Sequence, residues 1–225
     1  MGTAADSLQC GAMAHPAKVF PASLLLTDKA CLVVGAGRIA ARKIAALLDA
    51  GADVTIIAPR ISPEVSALGV RTEQRPYRPG EADGYWLVVT ATGDPEVDGQ
   101  VFTDANAARV FVNSADDPEH CSFHLPAVAR RGAVSVAVAT GGGAPGLAVW
   151  LRDRIAENFG PELAELAERV GAVRAELRRE AVATEGLDWS GLITSLLAAL
   201  GEDAGAPDRV AERFIAAARD ARGPR

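Results

Sequence analysis

Residues 31–43 read CLVVGAGRIAARK, and on this stretch the fold turns. CLVVG (31–35) is a short apolar run ending in glycine, the form of a strand buried on both faces of a parallel sheet. From 38 to 50, Ile39, Ile44, Leu47 and Leu48 recur at helical spacing until Gly51 stops them. Between the two lies Gly35-Ala36-Gly37-Arg38-Ile39-Ala40, a G-x-G-x-x-A turn. In such a turn the first glycine permits the tight bend and the second lets backbone approach a pyrophosphate. The small third residue lets the helix close on the strand, and the helix N-terminus then faces the phosphates. Two glycines in a turn are common. A strand before, a helix after and a second strand about 20 residues on put nucleotide binding well ahead of a plain strand–helix corner.

On either side the same rhythm continues. DVTIIAP (53–59) reads as a second buried strand closed by proline, VRTEQR (70–75) as a weaker third and YWLVVTAT (85–92) as a fourth. A helix over 96–109 and a strand VFVN (110–113) follow. Alternating strands and helices predict a Rossmann-type doubly wound parallel sheet over residues 18–125. Beyond it, GAVSVAVAT (132–140) alternates as a strand of a second, partly exposed sheet, within a segment 126–160 expected to dimerise. Pro145 suits a first helical position, and Leu147, Leu151, Ile155 and Phe159 form one stripe. Leu163, Leu166, Val170, Val173 and Leu177 make a narrow seam that wants a partner helix, and helices over 189–200 and 207–221, expected to fold over it, complete a helical domain, 161–225. The seam and the strand each leave an apolar face, which predicts a homodimer with its interface near the strand.

Composition narrows the function classes. Of 225 residues 49% are hydrophobic and 23% charged, with net charge −6, so neither disorder nor general binding to nucleic acid or anionic membrane is indicated. Three cysteines (Cys10, Cys31, Cys121) stand far apart without a CxxC pair, which fits a reducing cytoplasm and no zinc framework. Residues 1–17 read as a disordered leader without the charged start and apolar run of a secretory signal. The longest apolar stretch, 134–151, is broken by Gly141, Gly142, Gly143 and Pro145, so no membrane span is expected.

Three places carry candidate chemistry. At the end of the second strand, where a carboxylate holds the ribose in NAD-binding folds, stands Ala58-Pro59-Arg60. Arg60 fits a 2′-phosphate of NADP or a solvated loop charge, so spacing leaves NAD and NADP both open. After the fifth strand comes NSADDPEHCSF (113–123), whose carboxylates lie where open α/β sheets bind ligands. Asp117 reads as a turn cap before Pro118, and Asp116 equally as cap or as functional carboxylate. His120 and His124 lack a third ligand and do not make a metal site. The third place is ATGGGAPG (139–146), either a backbone anion cradle or a flexible corner.

Five segments in order, VVGAGRIAARK (33–43), VTIIAP (54–59), ATGDPEV (91–97), NSADDPEHCSFHLPAVARRG (113–132) and VAVATGGGAPGLAVWLRDRI (136–155), resemble the precorrin-2 dehydrogenase/sirohydrochlorin ferrochelatase family, the dehydrogenase–chelatase module of siroheme synthase. The resemblance runs from Phe20 to about Leu177. It implies an NAD-binding domain, a dimerisation segment, a helical domain, and oxidation of precorrin-2 to sirohydrochlorin, with insertion of Fe²⁺ or Co²⁺ as a further activity. Hydride would pass from a bridging carbon to the nicotinamide. Asp116 takes the place of the catalytic aspartate closing N-x-x-D. Cofactor contacts map to Gly35, Gly37, Arg38, Ile39, Pro59, Arg60 and Thr92, and substrate contacts to Asn113, Ser122, Thr140, Gly141 and Gly142. Thr140 keeps the hydroxyl of a serine common in the family. Gly93 replaces an aspartate of the usual A-T-D-D, and His124 an aliphatic residue. Arg130, Arg131, Arg152 and Arg154 are candidates for the substrate's carboxylates. Another Rossmann oxidoreductase would not predict the glycine-rich turn and helical tail, and a regulatory NAD module would bind cofactor without turnover.

Overall fold

A computed structural model describes residues 18–115, 117–203 and 205–221. It divides into two compact units. One runs to Leu125 and takes in Gly141–Gly143; the other comprises Pro126–Thr140 and the chain from Ala144.

The first unit contains β1 (Ala30–Val34), α1 (Arg38–Asp49), β2 (Asp53–Ile57), α2 (Pro63–Ser66), β3 (Arg71–Glu73), β4 (Leu87–Thr90), α3 (Pro95–Ala107) and β5 (Phe111–Ser114). All five strands are parallel, in the order β3-β2-β1-β4-β5. This is the Rossmann-type sheet expected. The order reverses between β1 and β4, so the crevice at the C-terminal ends of these strands is the place for a ligand. Period-two alternation divides the strand residues between two cores. Cys31, Val33, Ile56 and Val89 pack with Ala40, Ile44 and Leu47 of α1, while Leu32, Val34, Ile57, Val88 and Val112 pack with Val101 and Ala105 of α3. At roughly 1.5–3 kcal/mol for each large buried side chain, this two-sided burial holds both helices on the sheet. Burial also pushes the Cys31 thiol up to about 11, with the Asp53 charge adding to it.

Ser62 caps the short α2, which the sequence periodicity did not reveal, by accepting from Val65 N. From β3 to β4 the chain crosses without a helix. Arg75 there bridges Glu73 and Glu81, and the Tyr77 hydroxyl donates to Asp104 Oδ2 at 2.8 Å. Burial, then that hydrogen bond, pushes the Tyr77 phenol well above its usual range.

The second unit opens with an antiparallel hairpin of β6 (Ala127–Arg131) and β7 (Val134–Val138). The strand at 132–140 was expected, whereas β6 was not, because AVARR carries little apolar pattern of its own. Gly132, at φ +55, opens the two-residue loop, and a side chain there would stand 2.8 Å from Ala164 Cβ. Four helices follow: α4 (Pro145–Glu157), α5 (Glu162–Arg179), α6 (Trp189–Ala199) and α7 (Ala206–Asp220). The seam residues Leu166, Val173 and Leu177 are buried with Leu192, Leu196 and Ala218, so α6 and α7 cover the face that was expected to seek a second chain. Among the described residues of this unit, exposed large apolar side chains gather on α4, where Leu147, Val149 and Trp150 are 50%, 43% and 58% exposed.

Candidate active site

The glycine turn is built by contact between strand ends. Gly35 has φ +105, and a Cβ there would lie 2.4 Å from the Ala91 carbonyl oxygen, so only glycine fits. Gly35 N donates to Ile57 O at 2.9 Å, Ala91 N to Val34 O at 2.8 Å and Ala115 N to Thr90 O at 2.8 Å, tying the ends of β1, β2, β4 and β5 together. Gly37 differs. It caps α1 in extended backbone, no side chain caps the helix, and nothing lies within 4 Å of where its Cβ would stand. The first-turn N–H groups of Arg38 and Ile39 have no partner within the helix by its geometry. Ala40, fully buried, closes α1 onto the sheet. An uncapped helix N-terminus with open space before it fits a pyrophosphate. Pro59 and Arg60 are exposed at the end of β2, with Pro59 O accepting from Gln74 Nε2 at 3.4 Å.

At the end of β4, Thr92 is half-buried and its hydroxyl donates to Asp98 Oδ1 at 2.7 Å while accepting from Asp94 N at 3.0 Å. Asp98 also receives the hydroxyl of fully buried Thr90. Sequence reading missed Asp98. The signal was available, because Asp98, Val101 and Ala105 share one stripe of α3, and a charge on a core-facing stripe needs a polar partner.

At the end of β5, Asn113 is 6% exposed and its amide is fully engaged. Its Oδ1 accepts from Lys43 Nζ at 2.8 Å and its Nδ2 donates to Phe123 O at 3.0 Å. Lys43 belongs to α1, so this bond joins the helix of the glycine turn to the strand that leads to the N-x-x-D motif. The quoted motif VVGAGRIAARK contains Lys43, yet nothing in its spacing assigns it a partner 70 residues on. Ser122 Oγ accepts from Val112 N at 2.8 Å and Cys121 forms a lone bridge to Asn113, so 121–123 returns along β5. Burial pushes the Cys121 thiol up, opposed by the Ser114 N–H bond and the Lys43 charge. Its single S–H proton has two acceptors in reach, Ser114 O at 3.3 Å and Asp117 O at 3.2 Å. The hydrogen bond from His120, 2.5 Å away, holds the Asp117 carboxyl below its usual range, which gives Asp117 a local partner as a turn residue. Asp116 lies outside the described residues.

Gly35, Gly37, Arg38, Ile39, Pro59, Arg60, Thr92, Asn113 and Ser122 thus share one unit, most of them along the C-terminal edge of its sheet. Gly142 belongs to that unit too, and a Cβ on it would meet the His124 ring at 3.6 Å. Thr140 belongs to the other unit, where its hydroxyl accepts from Ala144 N at 3.3 Å. Of the arginines considered for carboxylates, Arg131 donates to Phe159 O and Ala156 O at the end of α4, and Arg152 and Arg154 pair with Asp153 and Glu157. Among the described residues no group of three or more His, Cys, Asp or Glu could hold a metal ion, and no helix is long and apolar enough to cross a membrane.

Residues 23–127 match a family model described as putative NAD(P)-binding. Over that stretch the chain is similar to NAD(P)-binding domains, and the stretch carries the Rossmann-type sheet. The chain is 38% identical over 157 residues to siroheme synthase 3 of Aeromonas hydrophila and 42% identical over 142 residues to siroheme synthase of Methylobacillus flagellatus. These matches take in 68% and 61% of this chain and 34% and 30% of the relatives. A solved structure, SirC, precorrin-2 dehydrogenase, has the same fold, with a TM-score of 0.68 at 24% identity over 90% of this chain and 100% of the other. The chain is thus similar to the siroheme synthases over part of their length and shares the fold of SirC, and it spans about a third of the curated relatives it matches.

Proposed function

We propose that this chain is an NAD-dependent precorrin-2 dehydrogenase that forms sirohydrochlorin. The observation that carries the reading is the open, uncapped N-terminus of α1 at Gly37, bonded through Lys43 to the end of β5, in a relative of the siroheme synthases. NAD⁺ supplies the hydride acceptor, so precorrin-2 and NAD⁺ give sirohydrochlorin, NADH and one proton. The chain's own work is to hold the dinucleotide on the N–H groups of Arg38 and Ile39, beside Gly35, Pro59 and Arg60. It must also take up the released proton, which falls to Asp116, two residues beyond β5. Asn113 and Ser122 serve by fixing the strand end, since their polar atoms are bonded within the protein. Gly141 and Gly142, both at positive φ, offer backbone to a substrate carboxylate, as in backbone anion nests.

The enzyme acts as a homodimer through the exposed face of α4, and its free thiols Cys31 and Cys121 suit the cytoplasm. Purified protein mixed with precorrin-2 and NAD should form NADH and sirohydrochlorin in equal amounts. Absence of both with intact protein overturns the reading. Adding Fe²⁺ or Co²⁺ to the same mixture tests metal insertion, and light scattering at micromolar concentration tests the dimer.

A further inference from the structure

Asp98 is 6% exposed on the core-facing stripe of α3. It does not cap the helix, because Asp94 already accepts from Glu96 N and Val97 N. A carboxyl group in that place costs desolvation that valine or alanine would not, so packing alone gives no reason for it. What Asp98 grips is Thr90-Ala91-Thr92: its Oδ1 accepts from both threonine hydroxyls and, at 3.4 Å, from Thr92 N. The Ala91 carbonyl between them is the atom that closes on Gly35. Asp98 therefore sets how the end of β4 meets the glycine turn.

It also sets polarity. The Thr92 hydroxyl has two acceptors in reach, Asp98 Oδ1 at 2.7 Å and Asp94 O at 3.2 Å, and the shorter, charge-assisted bond to Asp98 takes its single proton. With one lone pair taken by Asp94 N, the half-exposed oxygen can take a further partner only as an acceptor. We propose that Asp98 is a positioning residue of the dinucleotide site, acting through Thr92, which it orients to accept a hydrogen bond from a hydroxyl or amide donor of the bound dinucleotide. The inference rests on the dinucleotide lying along this sheet edge and requires nothing of the tetrapyrrole.

The test is NAD titration by calorimetry on the full chain. Asp98→Ala and Thr92→Val should each weaken NAD about tenfold, the scale of one good hydrogen bond (~1.4 kcal/mol). The double variant should be no weaker than either single one, because both remove one linked device. Asp98→Asn, whose amide oxygen can still accept from both hydroxyls, should stay within about threefold of wild type. Unchanged NAD affinity in Asp98→Ala, whatever its melting temperature, would reduce Asp98 to a staple between helix and strand and overturn the proposal. So would additive losses in the double variant. Should Asp98→Ala fail to fold, Thr92→Val decides alone, since a half-exposed threonine tolerates this isosteric change. Wild type that binds NAD but does not turn over precorrin-2 would sink the dehydrogenase reading and leave this one standing.

Discussion

Gly35→Ala and Gly37→Val are changes to neighbouring glycines of one motif, and they should fail in opposite ways. At Gly35 the backbone stands at φ +105, and the new methyl would lie 2.4 Å from Ala91 O and 2.7 Å from its carbon, both backbone atoms of a bonded strand end. A residue forced into such a conformation costs about 1–3 kcal/mol, and overpacking a closed site typically about 1–3 more. A loss of about 4 kcal/mol lowers the melting temperature of a domain this size by about 8–16 °C. Gly37 is at φ −88 in extended backbone, and its missing Cβ faces open space. Valine there should leave apo stability within about 1 kcal/mol of wild type, the scale of a compatible glycine replacement. It places branched carbon where the pyrophosphate meets the helix N-terminus, however. Thermal melts with and without NAD separate the two. At a hundred times its dissociation constant a ligand adds about 2.7 kcal/mol. Wild type should show that shift, and Gly37→Val should lose it while melting normally without NAD. A wild-type melt for Gly35→Ala would refute the packing geometry. A full NAD shift in Gly37→Val would place the cofactor elsewhere.

Other changes probe the rest of the edge. Asp116→Asn should cut sirohydrochlorin formation by about 10²–10⁴-fold with NAD affinity near normal, and turnover within twofold of wild type would sink the base assignment. Lys43→Met keeps the aliphatic stem but leaves the buried Asn113 Oδ1 without its 2.8 Å donor, which should cost about 1–3 kcal/mol in denaturant unfolding; unchanged stability would show that bond to be dispensable. With Cys31 raised to about 11, roughly one thiol in a thousand is thiolate at pH 8, so alkylation should be far slower in the folded than in the unfolded chain. Because that folded value lies above the ordinary thiol value of 9.0, its contribution to stability is full below about pH 9 and lost as pH climbs towards about 11. Melting temperatures that rise over this interval would contradict it.

Much of the fold was legible because its pattern is redundant. Each central strand is a largely β-branched run buried on both faces, α1 is stopped at Ala50 and Gly51, and parallel topology follows from the alternation of strands and helices. What escaped had no periodic signature. The strand Ala127–Arg131 is defined by pairing with Val134–Val138 rather than by its own residues, and α2 is a single turn held by Ser62. The seam of α5 was visible, as were the helices over 189–200 and 207–221 that cover it; only its second reading, as a face left for another chain, does not hold. Helices α6 and α7 of the same chain bury Leu166, Val173 and Leu177, so a narrow apolar stripe did not require a second molecule.

The candidate site was legible in another sense: residue types pointed to a sheet edge but not to how the residues there are engaged. The different roles read for Gly35 and Gly37 have a physical counterpart, since Gly35 is shut against Ala91 while Gly37 opens on free space, but the contact that shuts Gly35 is not written in the motif. Asn113 and Ser122 stand in the motif beside Asp116, yet their polar atoms are spent on Lys43, Phe123 and Val112. Such partners lie 10 to 70 residues away, and no local spacing encodes them. Long-range bonds of this kind have a functional consequence. Lys43 sits on the helix whose N-terminus would hold the dinucleotide, and Asn113 on the strand leading to the N-x-x-D aspartate. Under the proposed dehydrogenase reading, the hydrogen bond between them would help to set the distance between cofactor and base, and hydride transfer tolerates little error in such a distance. A motif therefore names the two ends of this site, while the bond across α1 and β5 makes them one.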